Sequence, residues 1–221
     1  MDNDNNNDNE DVAAIVLAAG TGTRFGGPKQ FVHAGAVRLV DWAVRAVGEV
    51  AGTVVVVVPP GVDWDGEGIG AVGGASRSES VRRGLTQVPA ATEIVVVHDA
   101  AHPLAGADLV AAVVREVRNG ADGAVPVLST RETVAYADGH TLGRAVPRAG
   151  LVLVQMPHAF RASVLRAAHA SPSDATDDAT LLQERGHRIV TVPGDPRNIH
   201  VTTPADLALL SGLVEGDPRV R

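Results

Sequence analysis

The chain has 221 residues and a mass of 22.7 kDa, with 45% hydrophobic residues but only 3% aromatic ones, which suits one α/β domain with a core of Val, Leu and Ala. A formal net charge of −7 and a pI near 5.5 exclude the broad positive surface that nucleic acid or an anionic membrane requires, and leave room for a small anionic ligand in a local basic pocket. There is no cysteine, so disulfides and thiolate metal sites are excluded, and no apolar run nears the ~20 residues of a membrane span.

Residues 1–11, rich in Asn and Asp, fit neither a secretory signal nor a transit peptide and read as a disordered acidic tail. A single domain is expected over 12–214, with 215–221 as a C-terminal tail and the cytoplasm as the location. Ala13 to Leu17 reads as a buried strand that empties into a loop carrying Gly20, Gly22, Gly26, Gly27, Arg24 and Lys29. Such a loop suits phosphate: glycine and alanine let backbone N–H groups approach an anion, and an arginine fork and a lysine point charge supply countercharge. Lys29 is the only lysine, against eighteen arginines.

Leu39 to Val50 has helical spacing, with Asp41 in its first turn, and Thr53 to Val58 is a β-branched run ended by Pro59 and Pro60. Residues 59–72 read as loop with at most a short helix. Gly73 and Gly74 then lead into a Ser-rich helix start, where backbone N–H groups and hydroxyls suit a base or a sugar, although an ordinary helix capped by Ser76 or Ser78 has the same pattern. Glu93 to Val97 reads as a strand running into His98-Asp99-Ala100-Ala101-His102-Pro103. An aspartate at the carboxyl end of a buried parallel strand is a candidate for metal or hydroxyl contact; the histidines carry no zinc spacing.

A helix over Asp108 to Asn119 and a strand over Gly123 to Leu128 follow, and residues 131–149 break the βα rhythm with a hairpin turning at Asp138-Gly139. A lone hairpin is marginal, so a partner subunit is one surface for it to pack on. Leu151 to Val154 returns to the sheet. Gln155 to Phe160 leads to a helix from about Arg161 to His169, Thr176 is placed as the N-cap of the next helix, Ile189 to Val192 is a short strand, and Thr203-Pro204 opens the last helix.

Six blocks in order span Ala13 to about Leu210: Leu-Ala-Ala-Gly-x-Gly-x-Arg with Pro-Lys-Gln, Gly-Gly-x-x-Arg-x-x-Ser-Val, Val-His-Asp-Ala-Ala-x-Pro, Gln-x-Pro-x-x-Phe, Thr-Asp-Asp-Ala, and Asn-Ile-x-Val-Thr-x-Pro-x-Asp-Leu. In this order they resemble the 2-C-methyl-D-erythritol 4-phosphate cytidylyltransferase family and its relatives that make CDP-ribitol. The resemblance implies a Rossmann-like α/β nucleotidyltransferase fold, a mixed, mostly parallel sheet with helices on both faces and a protruding hairpin arm exchanged in a homodimer. It also implies transfer of CMP from CTP to a small polyol phosphate with Mg²⁺ or another divalent cation as cofactor. By the same resemblance Arg24, Lys29 and the position of His200 are catalytic; Ala18, Ala19, Gly20, Gly73, Gly74, Ala75 and Ser80 surround the nucleotide; Asp99 faces metal and acceptor; and His102, Thr133, Arg148, Met156 and Thr176 meet the acceptor, Thr133 and Arg148 across the dimer.

Three departures fall on the acceptor side. His102 stands where the family has arginine, His200 where it has lysine, and Met156 where it has threonine. With a reference pKa near 6.5, histidines there are expected to be largely neutral at pH 7 unless bound phosphate raises them.

Overall fold

The computed structural model describes residues 9–171 and 177–215. Its centre is β1 (Val12–Leu17), flanked in parallel by β4 (Thr53–Val58) on one side and β6 (Ile94–Asp99) on the other. Successive residues of β1 point to opposite faces: Val12, Ala14 and Val16 join one core cluster, and Ala13 and Ile15 the other. Burial on both faces explains a continuous apolar run in place of an alternating one. One face is covered by α1 (Leu39–Gly48) and α3 (Ala107–Arg118), whose apolar stripes supply Val40, Val44, Val110 and Val114. The other is covered by α2 (Arg77–Leu85), α4 (Ala162–Ala168) and α5 (Asp178–Glu184), with Val81, Leu85, Leu165 and Leu182 inward.

Beyond β4 the sheet continues into β5 (Ile69–Val72), an edge strand paired in parallel with β4, where the sequence reading expected only loop. Ile-Gly-Ala-Val is a weak strand sequence. Trp64 packs over Gly66 and Gly70 and donates Nε1–H to the Glu67 carbonyl at 3.0 Å. Beyond β6 lie β11 (His158–Arg161), antiparallel to β6, and then β7 (Gly123–Ser129). β10 (Val152–Val154) pairs antiparallel with the end of β7, and β12 (Ile189–Pro193) pairs with it in parallel. Strand β11 is a second element the sequence reading left out. Three of its four residues are buried between neighbours, so it shows no alternation, and the following helix starts at Ala162 rather than Arg161. The peptide bond between Met156 and Pro157 is cis.

Off the sheet, β8 (Val134–Asp138) and β9 (Thr141–Val146) form a separate two-stranded hairpin with Gly139 at φ +56° in its turn. A second small ribbon, β2 (His33–Ala34) with β3 (Val37–Arg38), leads into α1. Helix α6 (Pro204–Glu215) closes the described chain: Leu210 and Val214 pack with Leu39, Trp42, Leu104 and Val201. Part of the expected tail belongs to the fold, because Asn9 accepts backbone bonds from Val12 and Gly52, and the Asp11 carboxylate meets Arg118 at 2.8 Å. Residues 1–8 lie outside the described residues.

Candidate active site

β1 is where the connections change direction, to β4 and β5 on one side and back to β6 on the other. Carboxyl ends of parallel strands diverge at such a point, and loops from both directions leave a crevice. Here the crevice is a cavity of about 800 Å³ lined by the turn after β1, the prolines after β4, the start of α2, the end of β6 and His200.

The loop after β1 takes its shape from Gly22, which has φ +65° and whose carbonyl accepts from the N–H groups of Phe25, Gly26 and Gly27. A Cβ at Gly22 would overlap the Gly27 carbonyl, so glycine is required there on both counts. The closed loop leaves Ala18, Ala19, Gly20, Arg24 and Lys29 on the cavity wall. Lys29 begins a short 3-10 helix, Lys29–Phe31, and donates Nζ–H to the Val201 carbonyl, tying this loop to the segment that carries His200. Burial, and then the charge of Arg24, push the Lys29 ammonium below its ordinary pKa.

The base of α2 forms the opposite wall, with Gly74, Ala75, Ser76, Arg77 and Ser80 facing the cavity. Of the two candidate caps, Ser76 is the N-cap: its Oγ accepts from the Glu79 N–H at 3.1 Å. The loop before it is held from the helix. Ser80 Oγ accepts from Gly74 N–H at 3.1 Å, Glu79 Oε2 from Ala75 N–H at 2.8 Å, and Arg83 donates to the Gly73 carbonyl at 2.9 Å. Gly73 lies behind the wall, where a Cβ would overlap that of Ala19; its role is close approach of the two loops.

Asp99, at the end of β6, is the only acidic side chain on the cavity wall among the described residues, with Arg24, Lys29 and Arg77 as its cations. No cluster of three or more potential metal ligands occurs among the described residues. A single wall carboxylate would fit an ion such as Mg²⁺ only where that ion takes most of its other ligands from substrate phosphates and water.

The remaining expected site residues divide. His200 lines the cavity, while His102 lies behind it, 7% exposed and stacked on the His200 ring at 4.5 Å between centroids. Burial, then the neighbouring His200, push His102 down to about 2, and burial followed by Lys29 lowers His200. The neutral state expected from histidine at these positions is the one the surroundings favour. Met156 is only 6% exposed and packs in the core under the sheet, away from the cavity; what it offers is its carbonyl, which accepts from Asn198 Nδ2 at 2.6 Å. Thr133 and Arg148 are exposed at the base of the hairpin, with Arg148 donating to the Arg131 carbonyl at 2.6 Å, and neither lines this cavity. Thr176 lies outside the described residues, and the cap of α5 is Asp177, which accepts from Thr180 N–H at 2.9 Å, rather than Thr176.

Sequence reasoning gave no role to Arg77, Asp178 or Gln155. Gln155 clamps the loop that leads to His200, donating to the carbonyls of Asp195 and Asn198 at 2.9 Å each and accepting from Asp195 N–H at 3.0 Å. Arg77 spans from α2 to the buried Asp178, 2.7 Å away. All three residues stand inside the sequence blocks, which was the available signal, but their partners are far away in the chain.

The sequence pattern of the family described as IspD, 2-C-methyl-D-erythritol 4-phosphate cytidylyltransferase, matches residues 12–215. The chain is 42% identical over 216 residues to the 2-C-methyl-D-erythritol 4-phosphate cytidylyltransferase of Deinococcus radiodurans, covering 92% of this chain and 91% of that one. It is 38% identical to a bifunctional IspD/IspF enzyme of Solidesulfovibrio magneticus, of whose length it spans 56%. The crystal structure of the Thermus thermophilus 2-C-methyl-D-erythritol 4-phosphate cytidylyltransferase superposes with a TM-score of 0.82 at 34% identity, covering 91% of this chain and 98% of that one.

Proposed function

The chain belongs to the 2-C-methyl-D-erythritol 4-phosphate cytidylyltransferase family, and from that premise we propose that it transfers CMP from CTP to 2-C-methyl-D-erythritol 4-phosphate, releasing pyrophosphate, in the cytoplasm. The observation that carries this reading is the convergence of Lys29, Arg24 and the Gly22 loop on one wall of a cavity whose other wall is the base of α2. That is a triphosphate clamp facing a nucleoside pocket.

In the reaction an oxygen of the acceptor phosphate attacks the α-phosphorus, the new P–O bond forms, and the bond to the β-phosphate oxygen breaks with its electron pair leaving on pyrophosphate. The nucleophile is already anionic, so no strong base is needed. Alignment and neutralisation of charge in the pentacoordinate state carry the acceleration. Lys29 and Arg24 supply fixed positive charge beside the α-phosphate, the backbone of Ala18 to Gly20 faces the nucleotide, and the α2 base holds cytosine and ribose. Asp99 would hold Mg²⁺, which neutralises triphosphate charge when bound. His200 faces the acceptor.

The same reading includes a homodimer in which Thr133 and Arg148 reach the partner's acceptor. It is supported by a hairpin standing off the sheet and by Val152, Leu153 and Val154 at 45%, 55% and 57% exposure along the adjoining edge. Pyrophosphate release is the test, with CTP, UTP, GTP or ATP, Mg²⁺, and either 2-C-methyl-D-erythritol 4-phosphate or ribitol 5-phosphate. Release with CTP and the first acceptor is expected. Release only with ribitol 5-phosphate would move the chain to the CDP-ribitol relatives. CTP binding without release from any acceptor would make it a nucleotide-binding homologue.

A further inference from the structure

Arg77 is joined to two carboxylates that belong to different parts of the fold. Its Nη1 donates to Asp178 Oδ2 at 2.7 Å, and its Nη2 lies 3.7 Å from Asp99 Oδ1. The first contact is an anchor. Asp178 is 2% exposed, and its other oxygen meets His169 Nε2 at 2.8 Å. The far nitrogen of that ring is 3.5 Å from the hydroxyl of Ser78, the residue next to Arg77. The loop thus closes from α2 through α5 and the end of α4 and back to α2. Burial alone would raise the Asp178 pKa, but the His169 hydrogen bond and the Arg77 charge hold it down at about 2.

The second contact is unfinished. Nη2 is buried and has no hydrogen-bond partner, while Asp99 faces the cavity with 27% of its side chain exposed. A guanidinium is a rigid planar fork. With Nη1 pinned to Asp178, the other arm of the fork is left 3.7 Å from one oxygen of Asp99.

We propose that Arg77 is a positioning residue for Asp99: anchored by Asp178, it holds Oδ1 inward and so presents the other carboxylate oxygen to the ligands in the cavity. This rests on the cytidylyltransferase reading above. Asp178 on α5 and His169 at the end of α4 lie on the same face of the sheet as α2, so the orientation of Asp99 is set from behind the cavity wall. Lysine cannot substitute, because a single ammonium can pair with Asp178 but has no second arm for Asp99.

Arg77→Lys is the deciding variant, since it leaves Asp178 paired. Its melting temperature is expected within a few degrees of the wild type, its kcat about tenfold lower, and its KM for CTP in Mg²⁺ about fivefold higher. Adding Asp99→Asn to Arg77→Lys is expected to cost no more than Asp99→Asn alone, because the two substitutions remove one function. Calorimetry supplies a readout apart from turnover: Arg77→Lys weakens CTP binding about fivefold in Mn²⁺ and leaves it unchanged in EDTA. As a guard against misfolding, the Arg77→Met/Asp178→Asn pair removes both buried charges together and is expected to show the same loss of kcat. Wild-type kcat and Mn²⁺-dependent CTP affinity in a stably folded Arg77→Lys protein would overturn the proposal alone. Losses from Arg77→Lys and Asp99→Asn that simply multiply would do the same. A wild-type protein that neither binds nor turns over CTP would remove the functional reading and this inference with it.

Discussion

At the scale of single residues, the proposed chemistry rests most on the lone lysine. Lys29 is held by its bond to the Val201 carbonyl and shares the wall with Arg24, so its position is fixed from two segments of the chain. An ammonium is a compact point charge, and a guanidinium in its place would be too wide to keep the Val201 bond and face the triphosphate together. Lys29→Ala is expected to lower kcat by about 10²–10³, the cost of one preorganised electrostatic donor, and Lys29→Arg to restore less than a tenth of it in a pyrophosphate-release assay. Full activity in Lys29→Arg would show that only charge is required.

At the scale of elements, the base of α2 has two functions. Ser76 caps the helix, and the same turn fixes the Gly73–Ala75 loop through Glu79, Ser80 and Arg83. Ser76→Ala therefore removes a cap worth about 1 kcal/mol, seen as a melting temperature lower by about 2–4 °C, while Glu79 and Arg83 still hold the loop and the KM for CTP changes less than twofold. The edge strand β10 makes the opposite case. All three of its residues are exposed, although successive residues of a strand face opposite ways, so the open surface wraps around the edge. Leu153→Glu is expected to convert a dimer into a monomer in light scattering after gel filtration, because it places a charge in the centre of that apolar strip. An unchanged mass would exclude β10 from the interface.

At the scale of the whole molecule, the buried histidines couple stability to pH. His98 is 0% exposed and held at about 4 by burial, and His102 is held at about 2; His158, 3% exposed, is also lowered by burial and then by Arg77. In the unfolded chain each takes up a proton near pH 6.5, so the stability tied to their neutral form is present above that pH and falls as the pH drops towards 4. Between pH 7.5 and 5.5, His98 and His102 alone are expected to cost about 2–3 kcal/mol in urea unfolding. Asp178 contributes nothing in that window, since its stabilisation is lost only between about pH 4 and 2. Imidazole resonances recorded by NMR down to pH 5 should include two that do not titrate; ordinary titration of every histidine would refute the account.

What the sequence determined by itself was local. The β-branched and alanine-rich runs gave β1, β4 and β6 because burial on both faces selects continuous apolar residues. Capping residues and helical spacing gave α1, α2, α3 and α6, and the glycine loop with Lys29 gave one wall of the cavity, the wall proposed to hold the triphosphate, since a phosphate cradle is built from residues close together in the chain. Strands β5 and β11 were not legible, because a weak edge strand and a short, mostly buried strand both depend on their neighbours in the sheet. Only the tertiary structure decided that Met156 is core, that His102 is a buried partner of His200, and that Arg77 joins Asp99 to Asp178. Those assignments depend on which residues far apart in sequence share one space, where burial and neighbouring charge, rather than residue type, set position and protonation.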